Sequence, residues 1–467
     1  MGLSSALSIA GSGLRTTQTW ADVTARNIAN AATPGYARKD TQLSSLSGGV
    51  DVSAVRREVD VSLERLDRDG IAVTSRWSTI SDALQLYTAT LGQPRDETSP
   101  TTKLTRFQES LNALANKPGD AATQAAVLDA AQRLSESLNA NAKTLQDVAQ
   151  EVDMTIRYDV ADVNELTNRL AMLNDRIVRT APGSLENAEL SDEIGRVLDS
   201  VAQFMDIRTT TNAAGQVTLY TSGGTTLVDA TQATALRYDP GTGGLYAGAD
   251  DITPATPGIR GFEYGSLAGL YELKHNTLPH YSLQLDELAR ALVTEFEMAD
   301  ASLTPGSPGI FTDQGAAYTT TQGLAARITV NPGMDPQHGG ALWRFRDGAG
   351  ATTQGASGDM TQALAFVDVF SKPVVFNAGA GLGTALTLET YATAMVTKQH
   401  TTQTDAQAEL QAASLSSEAF ATARQNYAGV NTDDELQRLM LIEQSYAANA
   451  KMMTTVSSMM DALLAAV

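Results

Sequence analysis

The chain contains no cysteine. Disulfides, thiolate nucleophiles and thiolate metal sites are excluded together. A protein without cysteine suits life outside the cell, since it needs no oxidising folding step. There are four histidines: His275, His280, His338 and His400. His275 and His280 are five apart with Pro279 between them, the wrong spacing for a metal pair on one helical face. Each histidine reads as structural or solvated. Positive charge is also short, with 33 Lys and Arg against 53 Asp and Glu, a net charge of −20. A phosphate-backbone partner and an anionic membrane surface are both disfavoured, so neither nucleic acid nor membrane is expected as a partner. No apolar run approaches the roughly 18 residues of a membrane span.

Catalytic signatures are missing as well. There is no G-x-S-x-G elbow and no P-loop. Gly379-Ala380-Gly381-Leu382-Gly383 follows a strand-like Val374-Val375-Phe376, but its spacing is not G-x-G-x-x-G and no βαβ unit surrounds it. It reads as a flexible turn. Asp250-Asp251 lies in a loop, whereas Asp433-Asp434 follows Asn431-Thr432 where a helix N-terminus favours negative charge. No catalytic residue, cofactor or metal site is expected, and an enzyme is not the reading. Aromatic residues make up 6% of the chain, which leaves only Trp343 and Phe345 as candidates for a sugar-binding face. Core packing explains those two better.

What the chain does have is heptad spacing at both ends. Leu3, Leu7, Ala10, Leu14, Thr17, Ala21, Thr24 and Ile28 follow one another at alternating steps of four and three. Leu439, Ile442, Tyr446, Asn449, Met453, Val456, Met460 and Leu463 do the same, with a polar residue at Asn449. Each is an a/d seam of the coiled-coil kind. The N-terminal seam has four large aliphatics, Leu3, Leu7, Leu14 and Ile28. Burying them yields roughly 8 kcal/mol at about 2 each, against roughly 1–2 kcal/mol for every backbone residue fixed. Helical hydrogen bonds return little net free energy against water. This helix is therefore expected to be loose in the free monomer and to order against neighbours. Slow amide exchange across residues 3–28 of the monomer would refute that.

Between the ends the pattern changes several times. The first helix should stop near Asn30, and Pro34-Gly35 suits the centre of a type II turn. A less regular segment follows, with alternating Val50, Val52 and Val55 after a Gly48-Gly49 turn. Helix returns from about Asp60, burying Val61, Ile71, Val73, Trp77, Ile80, Leu84 and Leu91. A short helix spans 102–116. An uninterrupted apolar stripe then runs from about Asp120 to Arg179, a rod of about 90 Å if fully helical. Residues after 206 read as β-hairpins around Val217-Thr218-Leu219-Tyr220-Thr221. Helix is expected over 266–300, a second β-type block over 309–376 including Leu342-Trp343-Arg344-Phe345, and a helical arm from about Leu386 through Gln425.

The fold class expected is α+β, an elongated multidomain chain. Residues 1–36 with 430–467 would pair as a terminal coiled coil. Residues 37–205, 266–308 and 386–429 would form a mainly helical bundle. Residues 206–265 and 309–385 would form a β-rich inserted outer domain. Ala29-Asn30-Ala31 mimics a signal-peptide cleavage site, but neither an apolar h-region nor a basic n-region precedes it, so export without a cleaved signal is expected. Met1-Gly2-Leu3-Ser4-Ser5-Ala6 misses the myristoylation pattern.

Two motifs carry a resemblance. Asn27-Ile28-Ala29-Asn30-Ala31-Ala32-Thr33-Pro34-Gly35-Tyr36-Ala37-Arg38 is similar to the N-terminal signature of the bacterial flagellar rod, hook and hook-associated axial proteins. Gly429-Val430-Asn431-Thr432-Asp433-Asp434-Glu435-Leu436, with Glu443-Gln444-Ser445-Tyr446-Ala447-Ala448-Asn449-Ala450, resembles their C-terminal signature. Tyr36 with Arg38, the helical stretch over 120–179, and Gly265-Ser266-Leu267-Ala268-Gly269-Leu270-Tyr271-Glu272-Leu273 resemble the members found at the junction of hook and filament. The resemblance is weak in the β region.

The resemblance implies a structural subunit exported unfolded by the flagellar type III apparatus and assembled as a ring of like subunits on the hook tip. Hook protein would lie below and hook-associated protein 3 above. A cytosolic chaperone would hold the C-terminal helix before export. The residues expected at subunit interfaces are Leu3, Leu7, Leu14, Asn27, Ile28, Asn30, Pro34, Gly35, Tyr36, Arg38, Leu439, Ile442, Tyr446, Asn449, Met453, Val456, Met460 and Leu463. The alternatives are another axial subunit, hook or rod protein, or a surface-binding module carried by the β domain.

Overall fold

The computed structural model describes residues 2–46, 48–254 and 260–465. In chain order it contains α1 (Leu3–Ala29), β1 (Lys39–Leu46), β2 (Gly49–Arg57), α2 (Val61–Leu91), α3 (Pro100–Asn116), α4 (Ala121–Val178) and α5 (Leu185–Phe204). Then come seven short strands: β3 (Ile207–Thr211), β4 (Val217–Thr221), β5 (Thr226–Asp229), β6 (Gln232–Ala233), β7 (Leu236–Asp239), β8 (Gly244–Ala247) and β9 (Asp250–Asp251). Helix α6 (Ser266–Glu272) passes through a π-helical turn, Leu273–Thr277, into α7 (Leu278–Met298). The remainder is β10 (Phe311–Asp313), β11 (Ile328–Val330), α8 (Arg344–Asp347), α9 (Thr361–Asp368), β12 (Val374–Val375), β13 (Ala385–Leu386), α10 (Leu388–Ala428) and α11 (Thr432–Ala465). The chain divides into two compact units, one of Met1–Arg76, Arg157–Ala268 and Gln411–Val467, the other of Trp77–Ile156 and Gly269–Leu410.

The long stripe forms one helix of 58 residues. Leu134, Leu138, Leu145, Val148, Val152, Ile156, Val163, Leu170, Leu173 and Ile177 are all buried along it. With no Gly or Pro to break the hydrogen-bond ladder, nothing stops the helix before Pro182-Gly183. The fold is α+β, as expected.

In the first unit, two asparagines of α4 stand in for strand neighbours. The Asn174 Nδ2 donates to the carbonyls of Val217 at 2.8 Å and Ala230 at 2.7 Å, while its Oδ1 accepts from the Val217 amide at 2.9 Å. The Asn164 amide does the same for Leu236. These bonds fasten the antiparallel sheets β3-β4-β5-β6 and β7-β8-β9 to the helix. Strands β1 and β2 form a hairpin with a bulge between Gln42 and Leu43.

The second unit has an aromatic core. Five of the ten phenylalanines, Phe107, Phe296, Phe311, Phe366 and Phe370, meet there, with Phe107 lying 5.4 Å from Phe296 and 5.2 Å from Phe311. Such tilted and edge-on pairs add about 0.5–1.5 kcal/mol each beyond area burial. Beside this core the buried Gln399 accepts from Tyr87 Oη at 2.8 Å and donates to Gln284 Oε1 at 2.7 Å.

Four expectations need correction. Asp250–Asp251 form the short strand β9 rather than a loop. Residues 39–57 are not irregular but form the β1–β2 hairpin. The block over 309–376 is not mainly β: its strands are two or three residues long, and Trp343 and Phe345 lie at and in the short helix α8. Val61 begins α2 and is exposed rather than buried. Its place in the first turn leaves it beyond the part of α2 that packs.

Candidate assembly site

The terminal helices α1 and α11 pack along each other in the first unit. Helix α1 contributes a seam of mostly small residues, with Ala10, Gly13, Thr16, Thr17, Val23, Thr24 and Asn27 buried. A Cβ added at Gly13 would lie 2.7 Å from Asn449 Oδ1, so the glycine makes room for the polar residue of the opposite seam. Helix α11 answers with one row at intervals of seven: Glu435, Ile442 and Val456 are buried and Asn449 is half-buried. The other heptad row is not covered by the chain. Leu439, Tyr446, Met453 and Met460 are 37%, 52%, 37% and 39% exposed. Leu463, at the end of the packed row, is also exposed. On α1, Leu3, Leu7, Leu14 and Ile28 are half-buried.

At the other end of the pair the two signature motifs meet. Asn27 is fully buried. Its Nδ2 donates to the Lys39 carbonyl at 2.8 Å and to Glu435 Oε2 at 3.2 Å. Its Oδ1 accepts from the Lys39 amide at 3.0 Å and from Tyr36 Oη at 2.9 Å. Every hydrogen-bonding position of the side-chain amide is used inside the chain. Asn30 caps α1, its Nδ2 donating to the Arg26 carbonyl and its Oδ1 accepting from Thr33 Oγ1. The turn after it closes through the Tyr36 amide and the Thr33 carbonyl, with Gly35 at φ +72° and Pro34 exposed. A side chain at Gly35 would also strike Arg196. The Arg38 amide donates to the Ala428 carbonyl at 2.7 Å, joining the motif to the end of α10.

Sequence reasoning missed the ionic part of this lock. The Lys39 Nζ, wholly buried, lies 2.5 Å from Asp192 Oδ2 and 3.6 Å from the centre of the Tyr36 ring. Arg57 Nε donates to the other oxygen of Asp192 at 2.7 Å. Burial pushes the Lys39 ammonium below its ordinary value, and Asp192 opposes the shift. Burial, with the carboxylates of Asp192, Glu189 and Glu435 nearby, pushes the Tyr36 phenol up, so it remains a donor to Asn27. Charges continue to alternate from Arg57 through Glu64, Arg68 and Asp199 to Arg424 and Asp67. Lys39 adjoins the motif and could have been suspected from that. Asp192 lies 153 residues away and carries no signal in the sequence.

Two of the histidines have partners within the chain. His338 Nδ1 is 2.8 Å from Asp335, and His400 Nε2 is 2.9 Å from the Gly92 carbonyl. Among the described residues no cluster of three or more His, Asp or Glu is placed to hold a metal, and no helix is long and apolar enough to cross a membrane.

The paired terminal helices thus carry one packed and one open seam. Residues 7–36 match the family model "Flagella basal body rod protein", and residues 423–466 match "Flagellar basal body rod FlgEFG protein C-terminal". Residues 89–302 match "Flagellar hook-associated protein FlgK helical domain". Over these segments the chain is similar to the flagellar hook-associated and basal-body rod proteins. It is 25% identical to the flagellar hook-associated protein 1 of Bacillus subtilis (strain 168) over 223 residues, 44% of each chain. It is 24% identical to the protein of that name from Salmonella typhimurium (strain LT2) over 361 residues, 70% of this chain and 64% of that one. The Escherichia coli (strain K12) protein is 24% identical over 319 residues, 63% of this chain and 56% of that one. The matches thus span less than two thirds of these relatives' lengths. A solved structure of the flagellar hook junction protein FlgK from Burkholderia pseudomallei aligns with a TM-score of 0.44 at 21% identity, over 54% of this chain and 46% of that one.

Proposed function

We propose that this chain is a structural, non-catalytic subunit of the bacterial flagellum that forms a ring at the junction of hook and filament. The observation that supports this best is the open row Leu439, Tyr446, Met453 and Met460 beside the packed row of α11. A helix with a second heptad row left in water has room for a second seam. Copies related by rotation and rise would cover that row through heterologous contacts. The interface would include these four with Leu3, Leu7, Leu14, Ile28 and Leu463. Asn27, Asn30, Pro34, Gly35, Tyr36 and Arg38 would shape the turn from which the pair projects. Residues 1–36 with 430–467 would then serve as the assembly module of the three-part division.

By likeness to relatives named hook-associated protein 1, hook protein would lie below the ring and hook-associated protein 3 above it. The chain would leave the cell unfolded through the flagellar type III apparatus without a cleaved signal, its α11 held beforehand by a cytosolic chaperone. Deleting residues 430–467 should abolish incorporation into flagella while the second unit stays folded. Tyr446→Asp with Met453→Asp changes only exposed positions and should have the same effect on a fully folded chain. Immunogold labelling of either variant at the hook tip in wild-type amounts would refute the proposal.

A further inference from the structure

Methionine is unevenly placed in this chain. Of its 13 methionines, Met440, Met452, Met453, Met459 and Met460 lie in α11. Four of these form one arrangement. Met452, Met453, Met459 and Met460 are the i−4, i−3, i+3 and i+4 neighbours of Val456, the positions that adjoin it on a helix surface. Val456 itself is buried, while the four around it are between 37% and 55% exposed. Gly13 faces Asn449 and Asn27 reaches Glu435, so α1 and α11 run antiparallel and Val456 falls beside the first two turns of α1. The four thioethers therefore rim the end of the α1–α11 seam on both sides.

A rim that only had to pack would be served by leucine, as at Leu439 and Leu463. Methionine packs as well and adapts to irregular partners, but its sulfur can be oxidised. With no cysteine in the chain, the exposed methionine sulfurs are its most readily oxidised groups. Hydrogen peroxide reaches them from solvent. The sulfur lone pair attacks one peroxide oxygen, and an S–O bond forms as the O–O bond breaks. The released hydroxide takes the proton from the transferred oxygen and leaves as water. Sulfur is oxidised by two electrons and the peroxide is reduced by two. The sulfoxide turns a flexible apolar side chain into a polar one. At Met453 and Met460 it would carry a strong acceptor into the row that the proposed ring makes dry. Around Val456 it would draw water into the seam beside Leu3 and Leu7.

We propose that Met452, Met453, Met459 and Met460 form an oxidation-sensitive site that gates assembly. The free chain loses its capacity to join the ring when they become sulfoxides, and the ring, once formed, shields Met453 and Met460. The inference rests on the proposed ring assembly through the open row of α11, and it sets a condition on when that row can be used.

The test adds the purified full chain, with or without hydrogen peroxide treatment, to flagella that lack it. Mass spectrometry should find sulfoxide at the four positions and none at the fully buried Met205, Met334 and Met395. Incorporation at the junction, counted by immunogold labelling, should fall at least about tenfold, the factor set by about 1.4 kcal/mol. The two methionine sulfoxide reductases, one for each sulfoxide epimer, should together restore it. Met452→Leu, Met453→Leu, Met459→Leu and Met460→Leu in one chain should leave untreated incorporation normal and abolish the effect of peroxide. Met154→Leu, Met172→Leu, Met298→Leu and Met360→Leu, at exposed positions elsewhere, should leave the sensitivity in place. Full incorporation of the oxidised wild type, or equal losses in the wild type and the first leucine variant, would overturn the inference. Untreated wild type that fails to reach the junction would instead overturn the proposed function, and this inference with it.

Discussion

The α1–α11 pair is closed at one end and open at the other. At the closed end Asn27, Tyr36, Lys39, Asp192 and Glu435 are joined by hydrogen bonds and ion pairs, most of them wholly buried. Along the open stretch Tyr446, Met453, Met460 and Leu463 lie in water, and Leu3 and Leu7 are half-covered. The polar groups are internal and paired within the chain, while the large apolar groups are external. Apolar contact is tolerant of partner and angle, so it can serve changing neighbours. Directional bonds tolerate little, so they suit the place where the pair must leave the body at one angle.

The closed end offers the largest effect. Asp192→Ala would strand the buried Lys39 ammonium and cost about 3–5 kcal/mol, read as a lower denaturant midpoint of the first unit. Lys39→Met combined with Asp192→Leu should recover most of that loss. Failure to recover would mean that the pair does more than neutralise itself. Asn27→Ala should cost roughly 1–3 kcal/mol, because it removes the partner of the Lys39 backbone, Tyr36 Oη and Glu435 Oε2. Amide exchange would then rise around the end of α1, and unchanged protection there would contradict a lock. Charge changes in the open row should leave the midpoint unmoved, which separates the two ends.

A contrasting carboxylate sharpens the point. Asp192 has two cationic partners, whereas the mostly buried Asp159 accepts from Ser266 Oγ at 2.5 Å, and burial raises its pKa to about 6. The folded state therefore holds this proton more tightly than the unfolded state. Its contribution to stability is full below the unfolded value near 3.8 and is lost as pH rises through about 6. Asp159→Asn should stabilise the protein at pH 7 by of order 1–2 kcal/mol, allowing for partial solvent screening. The gain should vanish by about pH 4. A pH-independent difference would show that packing, not the proton, is responsible.

Legibility in the sequence followed the range of the interactions. The period of α4 and the heptads of α1 and α11 depend on neighbours three and four residues away, and both were readable. Which heptad row of α11 packs inward was not, because 439, 446, 453, 460 and 442, 449, 456, 463 have the same spacing. The β1–β2 hairpin escaped because Lys39–Leu46 is mostly polar and lacks alternation. Leu342 to Phe345 looked like a strand from its large apolar and aromatic residues, yet tertiary packing turns Arg344–Asp347 into helix. Glu435 was legible as a helix-start acid but not as a buried partner of Asn27, a bond that spans 408 residues.

The finest test of the comparison lies midway, where Gly13 faces Asn449. Alanine is favoured over glycine in a helix by about 0.8–1 kcal/mol. Here the new Cβ would sit 2.7 Å from Asn449 Oδ1, so the side chain must turn or the helices must part. Gly13→Ala alone should therefore gain nothing and lose up to about 1 kcal/mol. On an Asn449→Ala background the obstruction is gone, and the same change should stabilise by close to its full helical preference. Equal effects in both backgrounds would place the helices further apart than this seam allows. A large coupling would instead make Asn449 the residue that fixes the register of the pair, at the point where the closed end gives way to the open row.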